Sequence, residues 1–272
     1  MRLTVDGRIV NAATGAVPVD PRAPEPLVVL IHGAGMDRSV WSHQTRFLAH
    51  HGYRAVAVDL PGHGGSEGPA LGSVAESAAW SARLADALGG RVHLVGHSLG
   101  ALVALEAAAH HPGEIASAVL VGVAALMPVH PDLQVAADAD EVRAAELITA
   151  WGHGRPQHTG HNPTPGLWML GGTQALLEGC PPGVLALDLK ASSSYEGALA
   201  AAASVSCPVT LVLGGIDRMT PRRAAQPLLD SFTGLASVTV VEVPDSGHML
   251  MLEEPAAVRR AILDHLTRAC AD

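Results

Sequence analysis

The sequence predicts an α/β domain in which helices cover both faces of a mostly parallel sheet. Short apolar segments rich in Val, Leu and Ile alternate with helical segments, the arrangement typical of parallel strands joined by helices. Residues 27–31 are apolar without interruption, as expected for a strand buried on both faces. The chain has 272 residues, 48% hydrophobic and 16% charged, which is enough for one large domain with a sizeable core or for two small ones.

Turn residues divide the N-terminal half into elements. Residues 3–5 and 8–10 flank Asp6-Gly7, a pair that suits the tight turn of a β-hairpin. A proline-rich stretch then leads into predicted strands at 27–31, 54–58, 92–95 and 115–122. The predicted helices between these strands lie at 40–51, 69–88 and 101–111. This alternation is the pattern of parallel strands with crossover helices.

The rhythm breaks between residues 128 and 194, where helical pieces alternate with segments rich in Gly, Pro and His. It resumes with predicted strands at 209–213 and 238–243 and predicted helices at 221–229 and 255–270. We therefore expect a core made of residues 1–127 and 195–272, with residues 128–194 inserted as a helical cap. Because sites in such folds lie at the carboxyl ends of the strands, the insertion is expected to cover the site as a lid.

The segment Gly96-His97-Ser98-Leu99-Gly100 joins a predicted strand to a predicted helix. A serine between two glycines at such a turn is the nucleophile-elbow pattern G-x-S-x-G. The turn strains the serine backbone, and larger side chains at the two glycine positions would collide. Ser98 is therefore the candidate nucleophile, while His97 is expected to point away from the bond being cut. A serine also needs a base, and the base needs a group that orients it.

Asp217 and His248 supply those two groups. Each follows directly after a predicted strand, and the chain order Ser98, Asp217, His248 is the order expected for this scaffold. Asp245 is too close in sequence to His248 to reach its ring, and Asp59 lies before the elbow in the chain. The predicted catalytic residues are therefore Ser98, Asp217 and His248.

Residues 32–35, His-Gly-Ala-Gly, come directly after a predicted strand. Acyl transfer places negative charge on a carbonyl oxygen, and backbone N–H groups can stabilise that charge. The amides of Ala34 and Leu99 are the predicted donors of this oxyanion hole. His32 is expected to brace the loop by hydrogen bonds. A plain strand-to-helix turn, with no role in catalysis, remains an alternative for this segment.

Large apolar residues of the insertion suggest an uncharged, apolar substrate. The predicted pocket residues are Trp151 and Trp168 in the insertion, with Met36 and Met249 in the core loops. Packing within the cap would explain the two tryptophans equally well.

Three histidines of the insertion, His153, His158 and His161, lie within nine residues. Their spacing fits no metal-binding motif, and no acidic residue is interleaved. We therefore predict no metal and no cofactor.

Composition limits the partners. The net charge of −9 and the single lysine disfavour nucleic acids and anionic membranes, which leaves a small-molecule substrate. The uncharged run at 115–129 is too short to span a bilayer. The run at 197–216 is long enough, but Cys207-Pro208 divides it. The odd count of three cysteines and the absence of a long apolar segment at the N-terminus lead us to expect a cytoplasmic protein without disulfides.

Taken together, five segments resemble the α/β-hydrolase superfamily, in its branch with a cap. The matching segments are 32–35, 59–64, 96–100, 214–217 and 246–248. The resemblance implies an eight-stranded, mainly parallel sheet with a helical cap. A serine at the elbow argues against the dehalogenase and epoxide-hydrolase members, which use an aspartate there.

The resemblance also implies an activity. The expected reaction is hydrolysis of a carboxylic ester, or of a lactone or thioester, through an acyl-enzyme on Ser98. Hydrolysis of a carbon–carbon bond and cofactor-free perhydrolysis are alternatives that the same residues can support. A receptor that only binds a ligand is a further alternative, but a pure binder gains nothing from retaining all three catalytic groups.

Overall fold

A computed structural model describes residues 1–164, 166–233 and 238–271. Pro165 of the predicted cap, and residues 234–237 and Asp272 of the predicted core, lie outside the described residues. Within them, one sheet contains the strands Arg2–Val5 (β1), Arg8–Ala13 (β2), Leu27–Ile31 (β3), Arg54–Val58 (β4), Val92–His97 (β5), Ile115–Val121 (β6), Val209–Gly214 (β7) and Val238–Val243 (β8). Their order is β1-β2-β4-β3-β5-β6-β7-β8. Pairing is antiparallel from β1 through β2 to β4 and parallel between all later neighbours. The predicted mostly parallel, eight-stranded sheet is confirmed.

Helices connect the strands and cover both faces of the sheet. They are Ser42–Ala49 (α1), Val74–Ala87 (α2), Leu99–His110 (α3), Pro131–Asp138 (α4), Val142–Gly152 (α5), Arg155–His158 (α6), Met169–Glu178 (α7), Val184–Ser193 (α8), Ala198–Ser204 (α9), Arg222–Ser231 (α10), Leu250–Glu253 (α11) and Pro255–Ala269 (α12). A 3-10 turn at Arg38–Trp41 precedes α1. Side chains alternate along β3, so that Val29 and Ile31 enter one core while Val28 and Leu30 enter the other.

Helix α2 begins later than its sequence predicts. Ser73 caps the helix, because its hydroxyl accepts from the Glu76 amide at 3.2 Å, and the Glu76 carboxylate accepts in turn from the Gly72 amide at 2.9 Å. The arrangement is similar to a capping box, except that Glu76 accepts from the residue before the cap, and the two bonds fix the first turn at Val74. The prediction of helix from residue 69 is therefore wrong by five residues.

The order of the strands brings distant parts of the chain together. Strand β5 lies in the middle of the sheet, between β3 and β6, and β7 and β8 follow beyond β6. All five of these strands run parallel, so their carboxyl ends meet at one edge. Helices α4 to α9 come between β6 and β7, and residues of α4, α5 and α8 line a cavity at that edge.

Candidate active site

The connection between β5 and α3 has the geometry of a nucleophile elbow. Ser98 sits at φ 53° and ψ −117°, a conformation that costs energy for any residue with a side chain. A Cβ on Gly96 would lie 2.0 Å from the Gly100 carbonyl oxygen, and one on Gly100 would lie 2.5 Å from the Ile31 carbonyl oxygen. Both positions therefore require glycine, and the turn presents Ser98 at the carboxyl edge of the sheet.

His248 and Asp217 are joined by a buried hydrogen bond. His248 Nδ1 lies 2.9 Å from Asp217 Oδ2, and the two residues are 1% and 5% exposed. Asp217 Oδ1 also accepts from the amides of Met219 and Thr220, at 2.8 and 2.9 Å. Burial alone would raise the pKa of the Asp217 carboxyl, but the charge of His248 and these hydrogen bonds outweigh it and hold the pKa well below its ordinary value.

Thr220 contacts both Asp217 and His248, and our sequence reasoning missed it. Its hydroxyl donates to Asp217 Oδ2 at 2.6 Å and lies 3.1 Å from His248 Nδ1. The His248 Nδ1–H therefore points at two oxygens, and the other ring nitrogen is left to accept a proton. The signal in the sequence is weak, since it consists only of a hydroxyl residue three positions after the acid.

A second buried carboxylate, Glu253, holds the backbone on both sides of His248. It accepts from the amides of Gly247 at 2.9 Å, Met249 at 3.0 Å and Gly154 at 2.8 Å. Burial outweighs these bonds and raises the pKa of Glu253. Sequence reasoning did not find Glu253, because its contacts are backbone amides that leave no pattern of side chains.

His97 does not turn away from the site as predicted. Its ring centroid lies 4.8 Å from that of His248, and its Nε2–H donates to the His248 carbonyl oxygen at 2.9 Å. Burial lowers the pKa of His97 to about 3, so the ring is neutral. His97 therefore supports the backbone of His248 from the elbow side.

Ser98 and His248 line the same cavity, of about 430 Å³. Among the described residues, no hydrogen bond yet joins Ser98 Oγ to the imidazole. Such bonds are commonly long in free enzymes and tighten when substrate binds. The structure thus brings the three predicted catalytic groups to one site, while their catalytic roles remain predictions.

The cavity walls are largely apolar. Met36, Trp151 and Met249 are among the lining residues, and sequence reasoning missed others, including Leu133, Ile148, Leu189 and Arg218. Trp168 does not line the cavity: it is 79% exposed, and its ring folds back over Gly171 on the outside of α7. Glycine at 171 leaves room for this position, since a Cβ there would lie 2.3 Å from the ring.

The loop after β3 lies against the elbow. A Cβ on Gly33 would be 3.3 Å from Ser98 Cβ, and Ala34 lines the cavity. Leu99 is the first residue of α3, where helical amides lack acceptors of their own. In the described part of the chain, the amides of Ala34 and Leu99 donate to no other group. Two free donors therefore lie beside Ser98, as an oxyanion hole requires.

Two of the cap histidines, His153 and His161, have different partners. His153 is buried, with Nδ1 donating to the Thr149 carbonyl oxygen and Nε2 3.3 Å from Thr173 Oγ1. His161 is exposed and pairs with Glu254 at 3.4 Å. Within the described ranges, no group of three or more His, Cys, Asp or Glu side chains is arranged to hold a metal ion.

A sequence profile of the Alpha/beta hydrolase family matches residues 28–261, which is most of the chain. The chain belongs to the α/β-hydrolase family. Similar proteins include the pimeloyl-(acyl-carrier protein) methyl ester esterase of Aromatoleum aromaticum, 33% identical over 85% of this chain and 94% of the relative. The protein of the same name from Methylococcus capsulatus is 33% identical over 82% of this chain and 88% of the relative.

A solved structure gives the same fold. The enol-lactonase from Burkholderia xenovorans matches this α/β-hydrolase with a TM-score of 0.85 at 22% identity, covering 98% of this chain and 100% of that chain. At such identity the likeness shows the fold alone. Among the described helices of this α/β-hydrolase, none is both long and apolar enough to cross a bilayer.

Proposed function

We propose that this α/β-hydrolase is a serine esterase that cleaves a carboxylic ester through an acyl-enzyme. The observation that carries the proposal is the strained Ser98 sharing one cavity with the buried His248–Asp217 pair. Ester-cleaving relatives at 33% identity over most of both chains support the same reaction class.

The reaction begins when Ser98 Oγ attacks the ester carbonyl and His248 Nε2 takes the hydroxyl proton. Asp217 and Thr220, 2.9 and 3.1 Å from His248 Nδ1, hold the ring so that Nε2 accepts that proton. The Asp217 carboxylate stabilises the imidazolium that results. His248 then passes the proton to the leaving alcohol, and the acyl group remains on Ser98.

The oxyanion of the tetrahedral intermediate would be bound by the amides of Ala34 and Leu99. Each such donor contributes about 3 kcal/mol to the transition state. Water then attacks the acyl-enzyme with His248 as the base, and the acid product leaves. Both half-reactions use the same groups in the same places.

The cavity supports a small to medium uncharged, apolar substrate. Its volume of about 430 Å³ lies within the range of small-molecule sites, and side chains such as Leu133, Ile148 and Leu189 form its walls. Relatives named for a methyl ester favour an open-chain ester, with lactones and thioesters as variants of the same chemistry.

We further propose that residues 128–194 act as a cap on a core formed by 1–127 and 195–272. Leu133, Trp151 and Leu189 of this segment line the cavity opposite Ser98 and His248. The free thiols of Cys180, Cys207 and Cys270 suit a cytoplasmic location.

The proposal is tested with a series of p-nitrophenyl esters of increasing acyl length, beside lactones and thioesters. Ser98→Ala should lower kcat/KM by roughly four orders of magnitude or more, because it removes the nucleophile. Ser81→Ala is the matched control, since Ser81 is a buried serine whose hydroxyl donates to the Ser77 carbonyl within α2. Activity of Ser98→Ala equal to that of the control would overturn the proposal.

A further inference from the structure

A buried carboxylate of the cap reaches the loop that carries the proposed oxyanion donor. Asp188, on α8, is 2% exposed, and its Oδ2 accepts from the Gly35 amide at 2.8 Å. Gly35 directly follows Ala34. Helix α8 also packs on this loop, since a Cβ on Gly35 would lie 2.7 Å from Leu185 Cδ1. Asp188 therefore links the predicted cap to the loop at the residue next to Ala34.

The same carboxylate oxygen pairs with a core histidine. His63 Nε2 lies 2.8 Å from Asp188 Oδ2, and His63 Nδ1 lies 3.0 Å from the Pro61 carbonyl oxygen. A carboxylate and a carbonyl only accept, so both ring nitrogens of His63 carry protons. Burial would lower the pKa of His63, but the bond to Asp188 outweighs it and raises that pKa. His63 and Asp188 thus form a buried ion pair between core and cap.

The other side of the loop is fixed from within the core. The Gly33 carbonyl accepts from His32 Nδ1 at 2.8 Å and from the Met36 amide at 3.2 Å. Because a trans peptide points its C=O and N–H in opposite directions, these bonds aim the Ala34 N–H away from His32. The next peptide unit is held by Asp188 through the Gly35 N–H. One restraint from the core and one from the cap therefore act on the two peptide units that flank Ala34.

We propose that Asp188 is a positioning residue for the oxyanion hole, so that seating of the cap and alignment of the Ala34 amide occur together. Leu189 and Ser192, on the same helix, line the substrate cavity. A substrate that contacts α8 therefore acts on the helix that holds the oxyanion loop. The inference rests on the proposed serine-esterase function, and it adds a residue that touches neither the substrate nor the reacting atoms.

The test compares Asp188→Ala and Asp188→Asn with the wild type. Asp188→Ala removes the acceptor for Gly35, and misalignment of a catalytic donor should lower kcat by roughly 10- to 100-fold with KM little changed. Asp188→Asn retains a neutral oxygen that can accept from Gly35, so kcat should fall by only roughly fivefold. A trifluoromethyl ketone, which forms a tetrahedral adduct on Ser98, should lose affinity in the same order, because it occupies the oxyanion hole.

The matched control is Asp138→Ala. Asp138 pairs with Lys190 of the same helix α8 at 2.8 Å, but the pair is exposed and does not reach the loop. This variant should retain wild-type kcat and inhibitor affinity. Thermal melting of each variant establishes that it is folded, and if Asp188→Ala does not fold, Asp188→Asn against the wild type decides the question.

Folded Asp188 variants with wild-type kcat and inhibitor affinity would overturn the inference. So would equal losses in kcat and in 1/KM with unchanged inhibitor affinity, because they would indicate a substrate contact instead. Ser98→Ala, measured in parallel, separates this failure from failure of the proposed function. An inactive Ser98→Ala beside fully active Asp188 variants would refute only the role of Asp188.

Discussion

Thr220 extends the His248–Asp217 pair to a three-membered cluster. Its hydroxyl touches both partners, at 2.6 Å from Asp217 Oδ2 and 3.1 Å from His248 Nδ1, and all three residues are buried. A hydroxyl can donate to the carboxylate and accept from the imidazole at once. The cluster therefore holds the ring in one orientation better than Asp217 alone would.

Thr220→Val should lower kcat by roughly 10- to 100-fold, because a hydrogen bond to a charged group is worth about 1.5–3 kcal/mol. Steady-state kinetics on a p-nitrophenyl ester measures the loss, and KM should change little. Thr210→Val is the control, since Thr210 bonds a different buried histidine, His265, at 2.9 Å. It should lower stability but not kcat, and equal kinetics of the two variants would contradict a role for Thr220.

The sequence indicated Ser98, Asp217 and His248, which the structure brings to one site, because each sits at a recognisable place, a glycine-flanked turn or the end of an apolar strand. Thr220, Glu253 and Asp188 were not indicated, because their roles depend on contacts between segments that are distant in the chain or on backbone amides. For Trp168, by contrast, the sequence predicted a place in the pocket that the structure does not show. Its apolar type suggested a pocket, but the backbone at Gly171 gives its ring a place on the surface.

The strand–turn–helix from β5 to α3 is the element on which the site depends most. Strand β5 lies in the middle of the sheet, and helix α3 is buried on nearly every side. The close approach of Gly96 to Gly100, and of Gly100 to the end of β3, leaves no room for a methyl group. Ser98 is presented to the cavity because this turn cannot relax without separating β5 from α3.

Gly96→Ala should therefore destabilise the protein by about 3 kcal/mol or more, since its new methyl group would overlap backbone atoms. Gly113→Ala is the matched control, because a Cβ there meets no atom within 4 Å and the backbone is not left-handed. Urea unfolding of the two variants measures the difference. Equal free energies of unfolding would show that the turn is not tightly packed.

Strands were easier to predict than helices at this scale. The bounds of β3, β4 and β8 agree with the prediction, because turn residues or charges end each apolar run. The start of α2 was predicted five residues too early, although Gly72 and the Ser73-x-x-Glu76 spacing are start signals that the sequence does contain. The number of strands, eight, came from the family resemblance. The order of the strands was not predicted, since the apolar pattern alone does not fix which strands are neighbours.

Across the whole molecule, several buried histidines are neutral. Burial lowers the pKa to about 4 for His32, His93 and His153 and to about 3 for His97 and His265. In the unfolded chain each titrates near 6.5. Between pH 6.5 and 4 these five groups therefore bind more protons in the unfolded state than in the folded state, and their contribution to stability falls as the pH falls. Asp217, whose pKa is lowered, adds to this loss below about pH 4.

The free energy of unfolding should accordingly be lower at pH 5 than at pH 7, with each buried histidine contributing up to about 1.4 kcal/mol per pH unit. Urea unfolding at both pH values measures the slope. His265→Gln should flatten it, because the variant lacks one such group, while His110→Gln, at an exposed position of α3, should leave it unchanged. A slope that is the same in all three proteins would contradict the assignment.

The central claim is that Ser98 is the nucleophile and that His248 activates it. Labelling of the folded protein with a fluorophosphonate, followed by peptide mass spectrometry, tests this claim directly. We expect one adduct, on Ser98, whose formation slows by orders of magnitude in His248→Ala. An unlabelled folded protein, an adduct on another residue, or equal labelling rates with and without His248 would contradict the account.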